Sequence, residues 1–330
     1  MDYTTLGRTG LRVSRACLGG GGSSRLGSRH GESEAHIIEL IHGALDMGIN
    51  FFDTAPAYST EAVLGTALRG HRDQVVLSSK VRCVQPGLPL DALVYCSPAD
   101  IDASVHESLR QLRTDHIDVV HLHGIRPPQY EHVMAVLLPR LMALRDAGKI
   151  GFIGLTEAFG SDDDHVVAQQ AIRDGHFDVL MAGYSIINPS LARTVLPMAA
   201  ASGIGLMCMC AVRGALASRS AISTLVAELV ACGEIDEADV NADDPLGFLI
   251  DEGHAGTLAE AAYRFCRHTP GIDVVMTGTG SIAHLKDNVA AILGNALPSA
   301  TLERLATAFA GVRSATGALH DRGREGMPQR

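Results

Sequence analysis

The sequence predicts a (β/α)8 barrel of the TIM type, with an N-terminal β-hairpin and an insertion after the seventh strand. Three observations predict it. After the hairpin, eight short β-rich runs each precede a stretch of helical periodicity. The length, 330 residues, suits one barrel with insertions. No composition shift or Pro/Ser-rich linker divides the chain. Residues 1–330 therefore read as one domain, with a polar tail from about residue 319. A doubly wound pair of sheets would need a boundary that is not there.

Each element has a local signal. Tyr3–Leu6 and Leu11–Val13, separated by Gly-Arg-Thr-Gly, form the hairpin. Arg15–Leu18 is a short strand running into the glycines Gly19 to Gly22. A helix over Glu32–Met47 places Ile37, Leu40, Ile41 and Leu45 at helical spacing. Strands at Ile49–Asp53 and Gln74–Val81 enclose a helix at Glu61–Arg69, and a helix at Pro98–Leu112 follows. The rhythm continues with strands at Ile117–His123, Ile150–Leu155, Asp178–Ala182 and Gly205–Cys210. Helices at His132–Asp146, Asp164–Asp174 and Leu191–Ala201 separate them. It breaks over residues 212–256, which hold a helix at Ala221–Ala231 and an acidic stretch. A helix at Thr257–Arg267, a strand at Asp273–Met276 and helices at Ile282–Leu293 and Ala300–Val312 complete the chain.

The composition narrows the function. Net charge is −10 with no basic stripe, which argues against nucleic acid as a partner. The uncharged run from Thr194 to Val212 approaches membrane-span length, but Pro197, Ser202, Gly203 and Gly205 interrupt it. It reads as a helix end followed by a buried strand, so no membrane partner is expected. The N-terminus has no charged segment followed by an apolar one. The seven cysteines include no CxxC, and Cys208 and Cys210 fit reduced, buried thiols better than a metal or redox pair. The expected location is the cytoplasm, as a monomer or small homo-oligomer. Only three of the 27 basic residues are lysines: Lys80, Lys149 and Lys286. Lysine can be tuned by its surroundings and arginine cannot, which draws attention to Lys80.

A barrel of this kind carries its site where strands end and loops begin. Strand 2 ends at Asp53 with Tyr58 in its loop, strand 3 at Lys80, and strand 4 at His121 and His123. Each residue alone has an ordinary structural explanation: a cap, a packing ring, a surface charge, a core histidine. Four such residues at three consecutive strand ends suit proton transfer at a carbonyl or alcohol oxygen. A neighbouring ammonium is expected to lower the tyrosine pKa, and an aspartate to hold that ammonium in place. After strand 8, Gly278-Thr279-Gly280-Ser281-Ile282-Ala283 matches G-x-G-x-x-A and opens a helix, as a phosphate clamp would. Gly19 and Gly20 would let a ligand approach the backbone, or simply form a flexible loop.

Together these segments are familiar. INFFDTAPAY, VVLSSK, IDVVHLH, AGKIGFIGLT and GTGSIAHLKDN resemble, in order, the markers of the aldo-keto reductase superfamily. The opening YTTLGRTGLRVSRACLGGG resembles its bacterial hairpin and first strand, and the likeness runs from Tyr3 to Ala291. It implies a (β/α)8 barrel that binds NAD(H) or NADP(H) without metal, with a catalytic tetrad at Asp53, Tyr58, Lys80 and His123. Tyr58 would then be the general acid in reduction and the base in oxidation. The family spacing from Asp118 selects His123 over His121, which is expected one layer deeper. A metal-dependent barrel hydrolase using His121 and His123, and a non-catalytic NAD(P)-binding regulatory subunit, are the alternatives.

Several positions depart from the family pattern. The usual Ser-Asn after strand 5 reads Thr156-Glu157, and the usual Gln after strand 6 reads Met181. The grip on the nicotinamide amide is therefore expected to differ, as in relatives acting on sugars or pyridoxal. Gly278 and Gly280 stand where NADP-preferring relatives often carry Lys or Arg, and His284 where Arg or Gln is common. NAD is thus favoured over NADP. Thr279 belongs to the expected phosphate clamp, Asp287 and Asn288 are expected near the adenine, and Arg213 either at the pyrophosphate or capping the insertion. The chain has no tryptophan, and Cys208-Met209-Cys210 replaces the usual aromatic end of strand 7. Tyr184 and Phe159 are expected to supply part of the missing surface, at a less aromatic mouth that favours a polar or bulky small-molecule carbonyl or sugar-like substrate.

Overall fold

The computed structural model describes residues 1–318; the tail expected from residue 319 lies outside them. The hairpin pairs β1 (Tyr3–Thr5) with β2 (Arg12–Ser14) in antiparallel register, Thr4 opposite Val13. Eight parallel strands then close a barrel. They are β3 (Ala16–Gly19), β4 (Phe51–Asp53), β5 (Val76–Arg82), β6 (Ile117–Ile125), β7 (Ile150–Glu157), β8 (Val179–Gly183), β9 (Gly205–Met209) and β10 (Val274–Thr277). The last strand pairs with the first, Met276 opposite Cys17, so the sheet has no edge.

Helices α1 (Glu34–Asp46), α2 (Glu61–Ala67) and α3 (Pro98–Leu112) surround the first three strands. Then come α4 (Tyr130–His132), α5 (Leu138–Asp146), α6 (Val166–Asp174) and α7 (Leu191–Ser202). After β9 lie α8 (Arg219–Ala231), α9 (Phe248–Asp251) and α10 (Leu258–His268), and after β10 come α11 (Ile282–Ile292) and α12 (Ser299–Phe309). The start of α3 shows why the local signals work. Ser97 accepts from the Asp100 amide while the Asp100 carboxylate accepts from Ser97, and Pro98 fills the first helical position. One expectation changes: the helix over residues 132–146 is interrupted by a π-turn at Val133–Leu137. Pro139 has no amide to donate to the carbonyl four residues back, and the hydrogen-bond ladder shifts there.

Strand parity sorts the core. Cys17, Phe51, Val76, Val119, Val179, Met181, Met207 and Val274 fill the barrel interior, with Leu6 and Val13 of the hairpin packed among them. Leu77, Val81, Val120, Leu122, Leu155, Leu180 and Cys208 face outward into the helical layer. The insertion builds a separate cluster, in which Ile222, Val226 and Leu249 pack with Leu305 and Phe309 of α12.

Candidate active site

The C-terminal ends of β4, β5 and β6 bring the four expected residues together. Asp53 ends β4, and its register partner Ser78 on β5 donates to Asp53 Oδ1 at 2.8 Å. Two residues on along β5, the Lys80 ammonium donates to Asp53 Oδ1 at 2.7 Å, Oδ2 at 2.6 Å and the Thr54 carbonyl at 2.9 Å. All three ammonium protons are thereby used. Both side chains are buried, so the pair is held rigidly. A short helical turn, Pro56–Tyr58, carries Tyr58 over this pair, with the Lys80 nitrogen 4.9 Å from the ring centre. From β6, His123 places Nε2 3.4 Å from Tyr58 Oη, the two rings standing edge to face at 89°.

The electrostatics follow from burial first. Burial pushes the Tyr58 phenol up; Lys80 pulls it back and Asp53 cancels part of that pull, so the net direction is upward. This corrects the expectation of a lowered tyrosine: an ammonium already saturated by a carboxylate cannot overcome desolvation. Burial, then Lys80, then Arg82 depress His123 to about 3, so its imidazole is neutral at physiological pH. Burial also acts against the charge of Lys80, but Asp53 more than restores it and holds the ammonium above its usual range.

His121 lies inside the barrel below His123, fully buried, and burial holds it well below its usual range. Among the described residues neither of its ring nitrogens has a hydrogen-bond partner. Its ring rests on Gly154 of β7, where a Cβ would stand 2.2 Å from Nδ1. Among the described residues no group of three His, Cys, Asp or Glu is arranged to hold a metal.

The glycines of the first and last loops meet. A side chain at Gly20 would stand 2.6 Å from Thr60 Oγ1, and one at Gly21 would stand 2.7 Å from the Tyr58 ring. Gly278 faces the Gly19 carbonyl, with 3.4 Å for an added Cβ. Thr279 Oγ1 accepts from the Ser281 amide at 3.1 Å, and Ser281 caps α11. Asn288 donates to Thr277 Oγ1 at 2.8 Å and so braces the end of β10, while His284 and Asp287 are exposed. The Gly280 carbonyl bonds His36 at 2.8 Å, and Gly27 sits so close that a Cβ on Gly280 would meet its Cα at 2.4 Å. That contact seats the backbone of Leu26 and Gly27 against the last loop. The linear order gives no sign of it, since only the closure of β10 onto β3 creates it.

The remaining expected positions divide. Met181 faces the interior. Thr156 accepts from the Gly124 amide at 2.6 Å. Glu157 Oε1 accepts from the Gly183 amide at 2.6 Å, and Oε2 meets His165 Nδ1 at 2.8 Å. The far nitrogen of His165 is 2.8 Å from Ser190 Oγ, which donates to Asn188 Oδ1 at 2.6 Å. Both nitrogens of His165 must therefore donate. Burial opposes that charge, but Glu157 outweighs it and raises His165. Arg213 donates to Thr316 Oγ1 at 2.7 Å, consistent with a bracing role beside the insertion.

Tyr184 and Cys208 are corrected: both face outward. Tyr184 stacks on Phe265 at 5.4 Å, and Cys208 Sγ contacts the Tyr184 carbonyl at 3.4 Å. Parity decides this, because Met181 and Met207 point inward and residues an odd number away cannot. The same rule identifies Met209, two residues past Met207 and packed against the interior cluster, as the strand 7 side chain at the mouth. Phe159 does reach the mouth, its ring covering Gly183.

Comparison with known proteins agrees with this architecture. The model of the "Aldo/keto reductase family" matches residues 18–308. An L-galactose dehydrogenase of Arabidopsis thaliana is 25% identical over 300 residues, 88% of this chain and 88% of the relative. An NADH-specific methylglyoxal reductase of Escherichia coli is 32% identical over 221 residues, 62% of this chain and 65% of the relative. Among solved structures, a putative aldo-keto reductase from Pseudomonas aeruginosa superposes with a TM-score of 0.62 at 28% identity, covering 88% and 93% of the two chains. An aldo-keto reductase from Bacillus halodurans shares the fold, with a TM-score of 0.68 at 23% identity over 96% and 97%.

Proposed function

The chain belongs to the aldo/keto reductase family, and from that premise we propose an NAD(P)-dependent oxidoreductase acting on a carbonyl compound or sugar hemiacetal, with Tyr58 as the acid–base group. Membership implies NAD(P)-linked oxidoreduction; the residue roles are our reading. The observation that carries it is the approach of Tyr58 Oη to His123 Nε2, 3.4 Å, over the buried Lys80–Asp53 pair.

The residues fit a dinucleotide. The first turn of α11 leaves amides without intrahelical acceptors, at the positive end of the helix dipole. Gly278, Thr279 and Gly280 bring backbone to that point, and Gly19 and Gly20 line the opposite loop. When bound, the nicotinamide supplies or accepts the hydride. Tyr58, kept protonated by burial, donates its proton to the substrate oxygen in reduction and recovers it in oxidation. Neutral His123 orients that oxygen. Lys80 stabilises the phenolate left behind, and Asp53 fixes Lys80. Glu157, tied to His165 and Gly183, leaves no free amide donor where the family carries Asn, so Thr156 and Met181 shape the carboxamide pocket.

NAD is the preferred cofactor in this reading. Gly278 and Gly280 provide no cation, and His284 is exposed. Two relatives, the NADH-specific methylglyoxal reductase and the L-galactose dehydrogenase, support NAD and a polyhydroxylated substrate. The test is fluorescence titration with NADH and NADPH, followed by turnover of methylglyoxal and a panel of aldoses. We expect NADH to bind at least as tightly as NADPH, and one panel member to be turned over. Failure to bind either nucleotide overturns the proposal; a strong preference for NADPH overturns the cofactor assignment.

A further inference from the structure

Arg82 follows Lys80 by two residues on β5 and so shares its face, one layer nearer the mouth. In the β5–β6 register it stands opposite His123, and its charge is among the causes that depress His123. Two of its nitrogens are anchored. Nε donates to the Val84 carbonyl at 3.1 Å, and Nη2 donates to the Leu88 carbonyl. Among the described residues, Nη1 has no hydrogen-bond partner and no carboxylate pairs with the guanidinium. Arg126, in the loop leaving β6, makes no side-chain hydrogen bond or ion pair among the described residues, and its Nη1 is buried. Asp91 is the acidic group that acts on it, from a distance.

This is an unusual placement of charge. The chain has ten more acidic than basic residues, yet among the described residues the Arg82 guanidinium stands without a carboxylate in register with His123, and Arg126 directly follows the end of β6. Asp53 is spent on Lys80 and Glu157 on His165, so neither can neutralise them. A buried guanidinium donor without an acceptor is costly, and a planar carboxylate is the acceptor whose geometry fits it. The anchored Arg82 is already held in place, which reduces what binding must order.

We propose that Arg82, with Arg126 from the adjoining loop, forms an anion subsite, and that the substrate is an aldehyde or sugar carrying a carboxylate. The proposal rests on the redox reading above and names its substrate class. Arg82 is a specificity-determining residue here: it holds the carboxylate while Tyr58 and His123 handle the reacting oxygen.

Matched pairs test it: succinic semialdehyde against butanal, and D-glucuronate against D-glucose, each with NAD(H). The acidic member should show a kcat/KM at least about tenfold higher, a discrimination expected when a site is built to bond a group its competitor lacks. Arg82→Gln should bring that ratio near one, Arg82→Lys should keep part of it, and Arg126→Gln should reduce it. Raised salt should shrink it. In parallel, calorimetric titration of the protein with butyrate and butyramide in the presence of NADH reads the subsite without turnover. Butyrate should bind more tightly, and Arg82→Gln should abolish the difference. Equal kcat/KM within both pairs, or equal binding of butyrate and butyramide, overturns the subsite even if the enzyme is an active reductase. Failure of the redox reading appears separately, as absence of nucleotide binding and of turnover with every carbonyl.

Discussion

Tyr58 and His123 stand 3.4 Å apart, yet burial moves them in opposite directions. The phenol rises above its usual value of 10 and the imidazole falls to about 3, because in each case desolvation disfavours the charged form. The proposed reduction needs the phenol protonated and the imidazole neutral. The first holds below the raised Tyr58 value, the second above the depressed His123 value. The rate constant for reduction should therefore be flat from about pH 5 to about pH 9 when chemistry limits turnover. A limb centred near 6.5 would mean that His123 is exposed and titrating. Residue types and spacing made Asp53, Tyr58, Lys80 and His123 legible in the sequence. The direction of the Tyr58 shift was not, because it depends on three-dimensional burial. Tyr184 and Cys208 face outward because strand parity puts Met181 and Met207 inside, which residue type alone does not report.

At the scale of elements, β7 carries an absence that the site depends on. Gly154 lies opposite His121 on β6, and the imidazole occupies the space a side chain would fill. Gly154→Ala should destabilise the protein by about 1–3 kcal/mol through overpacking, read as a lower midpoint of denaturant unfolding. Adding His121→Ala should recover part of that loss, since the two side chains share one volume. An unchanged midpoint for Gly154→Ala would contradict the packing described. Helix α3 was readable to the residue because its cap, proline and periodicity agree. The helix after β6 was readable only in extent; a π-turn is a shift in backbone pairing that hydrophobic periodicity does not report.

Across the whole molecule, barrel closure is what turns linear order into a site. It places the end of β10 beside β3, so that Gly278 faces Gly19 and Gly27 packs on Gly280. Strand order could be read from the alternation of patterns, but loop-to-loop contacts could not, since they join residues some 250 positions apart. The missing tryptophan takes its meaning at this scale too. Met181, Met207, Met209 and Met276 belong to or pack against the barrel interior, while Arg82 stands in register with His123. Such a surface suits a polar, charged substrate better than a flat aromatic one.

The central claim is that Tyr58 supplies the proton in an NAD(P)-linked reaction. Its most direct test is turnover of Tyr58→Phe measured alongside its affinity for NADH. The variant should lose about 10²–10⁴-fold in kcat while binding NADH as the unaltered protein does. Full turnover by Tyr58→Phe would contradict the account.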